Sequence, residues 1–346
     1  MVAHRKNQRF PRSAKRSVKP FPWLVVFATL AALLGLSACT TAQPVSPAPS
    51  TPPPVVRVAA LKGPTGMGLA KLATDASPRY QISIAGDSPD GITAPLVRGD
   101  LDAALIPANL AAVLYAKTNG AIQVAAVNTL GVLYVVEKGD TVHTLADLAG
   151  KTVLTTGKGA TPQYVMDFLL SQADLATSVT LQYRSESTEV AAALAGGQAT
   201  LGVLPEPYVS TVLAKDPSLR VALDLTKEWD AVAPGSQLVT GVLVVRKDFA
   251  AANPGAFTAF LADYQKSVAF ANDHPDEAAP LIAGLGIVPS AAIAEQAIPR
   301  CHIVYLTGEQ ARDALSGYLT VLEAANPASV GGQLPGDDFY YRPYQP

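Results

Sequence analysis

From about residue 55 onward, short runs of β-branched and aliphatic residues alternate with longer stretches of helical periodicity. This alternation constrains the fold more than any other feature of the chain. Two parallel strands must be joined by a crossover over a sheet face, and here each interval has helical length, so the pattern specifies α/β layers built on parallel sheet. The first series predicts strands at 55–61, 80–85, 103–106 and 122–127, separated by helices at 66–76, 91–98 and 109–117. A second series predicts strands at 152–155, 179–183, 201–204 and 221–225, with helices at 162–172, 188–195 and 207–214. Thr161-Pro162 and Glu206-Pro207 read as helix starts, because proline in the first turn gives up only an N–H that has no helical partner.

Two continuous apolar runs frame the second series. Gly131-Val132-Leu133-Tyr134-Val135-Val136 is echoed about 110 residues later by Gly241-Val242-Leu243-Val244-Val245. Runs without alternation suit strands buried on both faces. Their placement predicts that the chain passes from one α/β lobe to another and back, with a glycine at each crossing to absorb dihedral change. The expected division is lobe 1 at 55–137 plus 242–346 and lobe 2 at 138–241. Residues 254–326 read as mostly helical, with one short strand at 302–306, and are expected to cover lobe 1. The Gly-, Pro- and aromatic-rich tail is expected to lie across the surface as a strap.

The first 54 residues follow other rules. Seven of the 26 basic residues and none of the 28 acidic ones fall within the first 38 positions, ahead of or around a 14-residue apolar stretch from Trp23 to Leu36. This is the layout of a secretory signal peptide, and the stretch is shorter than the roughly 20 residues of a comfortable bilayer span. It ends Leu36-Ser37-Ala38-Cys39, which resembles a bacterial lipobox and predicts cleavage after residue 38 and lipidation of Cys39. Residues 39–54 include six prolines between Pro44 and Pro54 among Ser, Thr and Ala, a composition that stays extended as a tether. The remaining body carries about −9 rather than the −2 of the whole chain, which argues against a nucleic-acid partner. With Cys39 lipidated, Cys301 has no intrachain partner, and no disulfide framework exists.

In open parallel sheets ligands bind beyond the carboxyl ends of the strands. Lys62-Gly63-Pro64-Thr65-Gly66-Met67-Gly68 follows the first strand without the Gly-Lys-Ser/Thr of a Walker A loop. Thr155-Thr156-Gly157-Lys158-Gly159-Ala160-Thr161-Pro162 opens the second lobe, and its Gly157-x-Gly159 fails the dinucleotide fingerprint for want of a third small residue. Two such loops facing one cleft would clamp a small solute. The candidate contacts are Lys62, Thr65, Gly66 and Met67 in the first loop and Gly159, Ala160 and Thr161 in the second. Asp87, Ser88, Asn109, Asn128 and Thr129 join them from other strand ends of lobe 1, and Glu206, Tyr208 and Gln237 from later loops. Each of these residues could instead serve as a helix cap or turn residue, the ordinary work of such residues at strand ends. Tyr164, Tyr208 and Trp229 are candidates for stacking on a ring. Catalytic signals are poor: His143, His274 and His302 are scattered, no zinc-ligand spacing or G-x-S-x-G elbow is present, and Cys301 reads as a small buried hydrophobe.

Several segments together resemble the solute-binding lipoproteins of ABC importers, specifically the SsuA/THI5-like (NMT1-like) superfamily that takes nitrate, sulfonates, taurine and thiamine precursors. They are Val58-Ala59-Ala60-Leu61 with its glycine-rich loop, Leu96 to Ala104 with Arg98-Gly99-Asp100-Leu101-Asp102 at its centre, Leu145-Ala146-Asp147-Leu148-Ala149-Gly150-Lys151, and Leu194-Ala195-Gly196-Gly197 leading to Glu206-Pro207-Tyr208. The resemblance covers about residues 55–325. It implies a periplasmic-binding-protein-like α/β fold of type II, with two lobes joined by two crossing hinge strands. It further implies a monomer without cofactor or catalytic residues, anchored on the extracytoplasmic face of the membrane. Such a protein captures a small polar solute (zwitterionic, heteroaromatic or sulfonate-like) by hinge closure and delivers it to an ABC permease and its ATPase. Relatives of the same fold in pyrimidine and menaquinone biosynthesis make an enzyme the competing expectation, and a ligand-sensing surface receptor is a third.

Overall fold

The computed structural model describes residues 54–343 apart from Asp87. The expected signal peptide, Cys39 and all but the end of the tether lie outside the described residues. Eleven strands are described: β1 (Val56–Ala60), β2 (Tyr80–Ile84), β3 (Ala103–Pro107), β4 (Ile122–Leu130), β5 (Leu133–Lys138), β6 (Thr152–Thr155), β7 (Thr180–Tyr183), β8 (Leu201–Pro205), β9 (Leu219–Asp224), β10 (Val239–Arg246) and β11 (Ile303–Leu306). They form two sheets, ordered β2-β1-β3-β10-β4-β11 and β7-β6-β8-β5-β9. The two α/β lobes expected from the alternation are present.

Both sheets are built on one plan. Three parallel strands stand at one side, and the fourth position is filled by a strand antiparallel to both its neighbours: β10 between β3 and β4, and β5 between β8 and β9. These fourth strands are the two echoed apolar runs. Each has a neighbour on both sides and buries nearly every residue, which is why neither alternates. The echo is offset by two residues in space, however. Gly241 pairs with Pro107 at the end of β3, whereas Leu133, not Gly131, pairs with the corresponding Pro205 of β8.

The pairing also moves the expected lobe boundaries of 137/138 and 241/242. Strand β5 belongs to the second sheet, so the first crossing is at Gly131-Val132. The return is complete by Val239, where β10 begins in the first sheet. An apolar run does not announce which sheet it joins. A helix at Leu225–Val232, capped by the Asp224 carboxylate accepting from Thr226 N–H, precedes the return and was not anticipated from sequence.

Three apolar clusters form among the described residues, one of them confined to lobe 2 around Val136, Val190, Leu194 and Val209. A second lies between the first sheet and the helices Pro254–Asp273, Pro275–Gly284 and Ala291–Ala297, with Phe257, Phe260 and Tyr264 fully buried. The third is continuous across both lobes, running from Ile106 and Val127 to Val135, Val203 and Leu169. The helix Gly308–Ala325 carries an apolar stripe of Ala311, Leu315, Tyr318 and Leu322 at helical spacing. It was expected to cover lobe 1 alone, but it also packs on the lobe 2 helix Thr161–Gln172. At this junction Trp229 lies 4.9 Å from Phe168 and 5.4 Å from Tyr318, centroid to centroid, and is fully buried. It is therefore a core residue and not the stacking group suggested by sequence. The tail does act as a strap: Phe339 is buried, and Tyr341 N–H donates to Val124 O at 2.8 Å on the part of β4 that β11 leaves uncovered. Among the described residues no helix is long and apolar enough to cross a membrane.

Two outcomes follow from this packing. Trp229→Ala should cost about 3–5 kcal/mol, as expected for deletion of a large buried aromatic, and should loosen both lobes together; urea unfolding followed by probes in each lobe checks this. Glu137 is buried, which alone would raise its pKa. Hydrogen bonds from the Thr141 hydroxyl and the Thr141 and Val142 N–H groups, with Arg220 at 2.7 Å, outweigh burial and hold it below the ordinary carboxylate value. A carboxyl lowered on folding stabilises above its unfolded pKa of about 4.3, and that stability is lost as the pH falls through the lower folded value. Glu137→Gln should therefore be less stable than wild type at neutral pH, with the difference shrinking below about pH 4, as measured by unfolding across that range.

Candidate functional site

Because both sheets present the carboxyl ends of their parallel strands to the same space, the loops that follow converge between the lobes. Leu61, Lys62, Pro64 and Thr65 follow β1, and Pro89, Pro107 and Thr129 come from later strand ends of the first lobe. Facing them are Thr156, Gly157, Ala160, Thr161 and Pro162 after β6, Ser185 and Ser187 after β7, and Pro205 and Tyr208 around the end of β8. Val132 and Leu133 from the first crossing and Thr240 from the start of β10 form part of the wall. The cleft they enclose, including its mouth, has a volume of ≈ 760 Å³.

The chemistry of this wall is one-sided. Five of the lining residues are prolines and eight carry a hydroxyl, while Lys62 is the single charged residue among the described ones. The Thr156 and Ser187 hydroxyls lie 3.4 Å apart. Two helices whose starts touch the cleft, Ala108–Lys117 and Thr161–Gln172, have neither a side-chain cap nor an acidic residue in the first turn, so their positive ends are not offset locally. Gly157 has φ 71°, and a Cβ there would lie 2.7 Å from the Pro162 ring, so a side chain is excluded on both conformational and steric grounds.

Of the residues expected from sequence, Lys62, Thr65, Thr129, Ala160, Thr161 and Tyr208 are in the cleft wall. Gly66, Met67, Ser88, Gly159 and Gln237 are not among the lining residues, and Asp87 lies outside the described residues. Met67 is fully buried in the first-lobe core, where the Cys301 thiol lies 3.5 Å from its Sδ. Asn109 is buried and joins the lobes instead: its Nδ2 donates to Ser329 O at 3.1 Å and Gly159 O at 3.4 Å, and its Oδ1 accepts from the Thr161 hydroxyl at 3.3 Å. Asn128 is buried, with Nδ2 3.5 Å from Thr65 O.

Glu206 is corrected most sharply. Its side chain is fully buried, with Oε2 accepting from Ser210 N–H at 3.0 Å and from the Ser210 hydroxyl at 2.8 Å. Thr156, Ser185, Ser187 and Thr240 also line the cleft and are not among the sequence candidates, although they lie in or beside the same strand-end loops. The sequence reading also missed the apolar walls formed by proline. The available signal was the recurrence of proline at strand ends and helix starts, at Pro64, Pro107, Pro162 and Pro205.

No carboxylate or histidine is among the described lining residues that could form an acid–base pair there, and no group of three His, Cys, Asp or Glu among the described residues could hold a metal ion. Burial pushes the Cys301 thiol up, reinforced by Glu206, away from the thiolate that nucleophilic chemistry needs. Cys301 should accordingly resist an aromatic disulfide reagent in the native protein and react at an ordinary rate once denatured, as a thiol-release assay would show.

A family model described as menaquinone biosynthesis matches residues 64–323. The chain belongs to that family. The matched region takes in the loops lining both sides of the cleft apart from Leu61 and Lys62. No curated protein matches the chain. Among solved structures, an ABC transporter protein from Parabacteroides distasonis is 27% identical, with TM-score 0.68 over 83% of this chain and 99% of the other. The aliphatic sulphonate binding protein SsuA from Escherichia coli is 19% identical, with TM-score 0.64 over 85% and 94%. The alkanesulfonate-binding SsuA of Xanthomonas axonopodis pv. citri, bound to MOPS, is 17% identical, with TM-score 0.64 over 83% and 96%. The two-lobed fold implied by the sequence resemblance is thus shared with SsuA-like binding proteins, while the family match is to menaquinone biosynthesis.

Proposed function

We propose that the protein captures a small organic anion in the cleft between its lobes and serves as the extracytoplasmic binding component of an ABC importer, handing the solute to a membrane permease driven by an ATPase. The observation that carries this reading is the wall chemistry: one cation, Lys62, set among hydroxyls and proline rings, with no acid–base pair among the described lining residues. A carboxylate or sulfonate would take charge-assisted hydrogen bonds from Lys62 and support from hydroxyl and backbone donors, and an apolar body would lie against the prolines. This narrows the solute from the broader polar class suggested by sequence to one with a single anionic group and an apolar remainder. The mixed zwitterion reading loses support because Glu206 is used internally. The structural neighbours named for ABC import and sulphonate binding support the role. The basic leader, the lipobox-like Leu36-Ser37-Ala38-Cys39 and the proline-rich tether support an anchor at Cys39 on the outer face of the membrane.

The match to a menaquinone biosynthesis family favours a second reading, an enzyme acting on a carboxylate in the same cleft. The two readings differ in turnover. Purified protein should show a thermal upshift with members of a panel of alkanesulfonates and alicyclic or aromatic carboxylates, and the bound compound should be recovered unchanged. A product detected by mass spectrometry without added partners would replace binding by catalysis. Lys62→Ala should weaken binding of the best anion by about 10- to 100-fold, the size expected for losing a charge-assisted hydrogen bond, with little effect on melting temperature in the absence of added anion. Unchanged affinity in calorimetry would remove Lys62 from the site.

A further inference from the structure

Three consecutive residues just before β11 face three different parts of the molecule. Cys301 is fully buried in the first-lobe core against Met67. His302, at φ 43°, contacts the Gly131 carbonyl through Nδ1 at the first crossing, and its own carbonyl accepts from Leu130 N–H at 3.2 Å. Arg300 points the other way, into lobe 2. Its Nη2 donates to the Ser210 hydroxyl at 2.5 Å, and its Nε lies 2.9 Å from Glu206 Oε1. This last contact is ionic and not an aligned hydrogen bond, since Oε1 has no hydrogen-bond partner. The segment is thus rooted in lobe 1 and at the crossing while its guanidinium meets a carboxylate in lobe 2.

The two ends of this contact are unequal. The Arg300 side chain is 45% exposed and could be hydrated without the pair, whereas the Glu206 side chain is 0% exposed. Burial raises the Glu206 pKa, with Arg300 and Ser210 opposing that shift. Arg300 is the cation that compensates this buried charge. Withdrawing one partner of a buried ion pair is costly because the other charge is left uncompensated. Any separation of the lobes on this flank would strand Glu206 in that way. Elsewhere the lobes are held by the apolar junction of Phe168, Trp229 and Tyr318 and by Asn109 with Gly159 and Thr161. Apolar packing there tolerates small sliding, while a charge contact is either made or broken.

We propose that Arg300 and Glu206 form an inter-lobe latch: the pair is made when the lobes are together and must break for them to part on the flank formed by the helices Ala291–Ala297 and Tyr208–Lys215. Ser210 is part of the device, holding Glu206 Oε2 from within lobe 2 and accepting Arg300 from across the gap. Removing the arginine alone therefore does more harm than removing both charges.

Small-angle scattering of the folded chain with no added solute tests this, so its result is separate from whether an organic anion binds. Arg300→Ala is expected to raise the radius of gyration above wild type at unchanged helix content, and to speed amide exchange in Tyr208–Lys215 by about tenfold or more, as local opening is eased. Adding Glu206→Gln to Arg300→Ala should bring both readouts part of the way back, because no charge is then stranded. If Arg300→Ala fails to fold, Arg300→Lys, which keeps the charge but cannot span Glu206 and Ser210 together, should show the same changes in smaller degree. A lower melting temperature with an unchanged radius of gyration and unchanged exchange in Tyr208–Lys215 would overturn the latch and leave the pair a local packing contact. So would a double variant no closer to wild type than Arg300→Ala.

Discussion

The architecture depends on a buried apolar contact between the lobes. The helix Gly308–Ala325 belongs by chain order to the closing segment of lobe 1, yet its stripe meets the lobe 2 helix Thr161–Gln172 and places Tyr318 against Trp229. Burial of three aromatic rings at that junction ties the lobes into one cooperative body, since such rings contribute both area and specific ring geometry. The cleft exists because the two sheets are held with their parallel strand ends facing.

With the lobes in that relation, the two sheets need only repeat one plan to line a cleft. Each supplies a glycine- or proline-marked loop after its first strand and a proline at the end of its third, Pro107 and Pro205. The walls consequently combine proline rings with hydroxyls. Under the proposed function, a single lysine in such a setting would anchor one anionic group, whereas a cluster of charges would have been costly to hold out of water without partners. The carboxylates of the described lobes lie outside the cleft lining, some of them in ion pairs such as Glu137 with Arg220 and Asp102 with Arg57.

Much of the fold was legible in the sequence because strand and helix periods are local. The strand at 152–155, the helix at 275–283 and the tail strap were read nearly as they stand. Errors arose where a local signal is silent about its partner. Gly131 to Val136 reads as a buried strand whether it joins one sheet or the other, and only the pairing of Leu133 with Pro205 assigns it to lobe 2. Leu225–Val232 was missed because few of its side chains are apolar, and its largest, Trp229, is satisfied by residues more than 50 positions away in either direction. Several of the strand-end loops picked from sequence line the cleft, while some of their most polar residues turn elsewhere. Asn109, Asn128 and Glu206 are buried and spend their hydrogen bonds on the protein, since polar groups removed from water must find partners.

What the sequence alone determined is the alternation that dictates two α/β layers, the apolar runs that must be internal strands, and the set of loops from which a ligand site could be drawn. What the tertiary structure decided is which of those loop residues face the cleft, where the chain crosses between lobes, and that Arg300 reaches Glu206 from the other lobe. The division has a physical cause. Periodicity and composition are properties of neighbours along the chain, whereas the orientation of a side chain and the partner that compensates a buried charge are set by segments brought together only when the lobes pack.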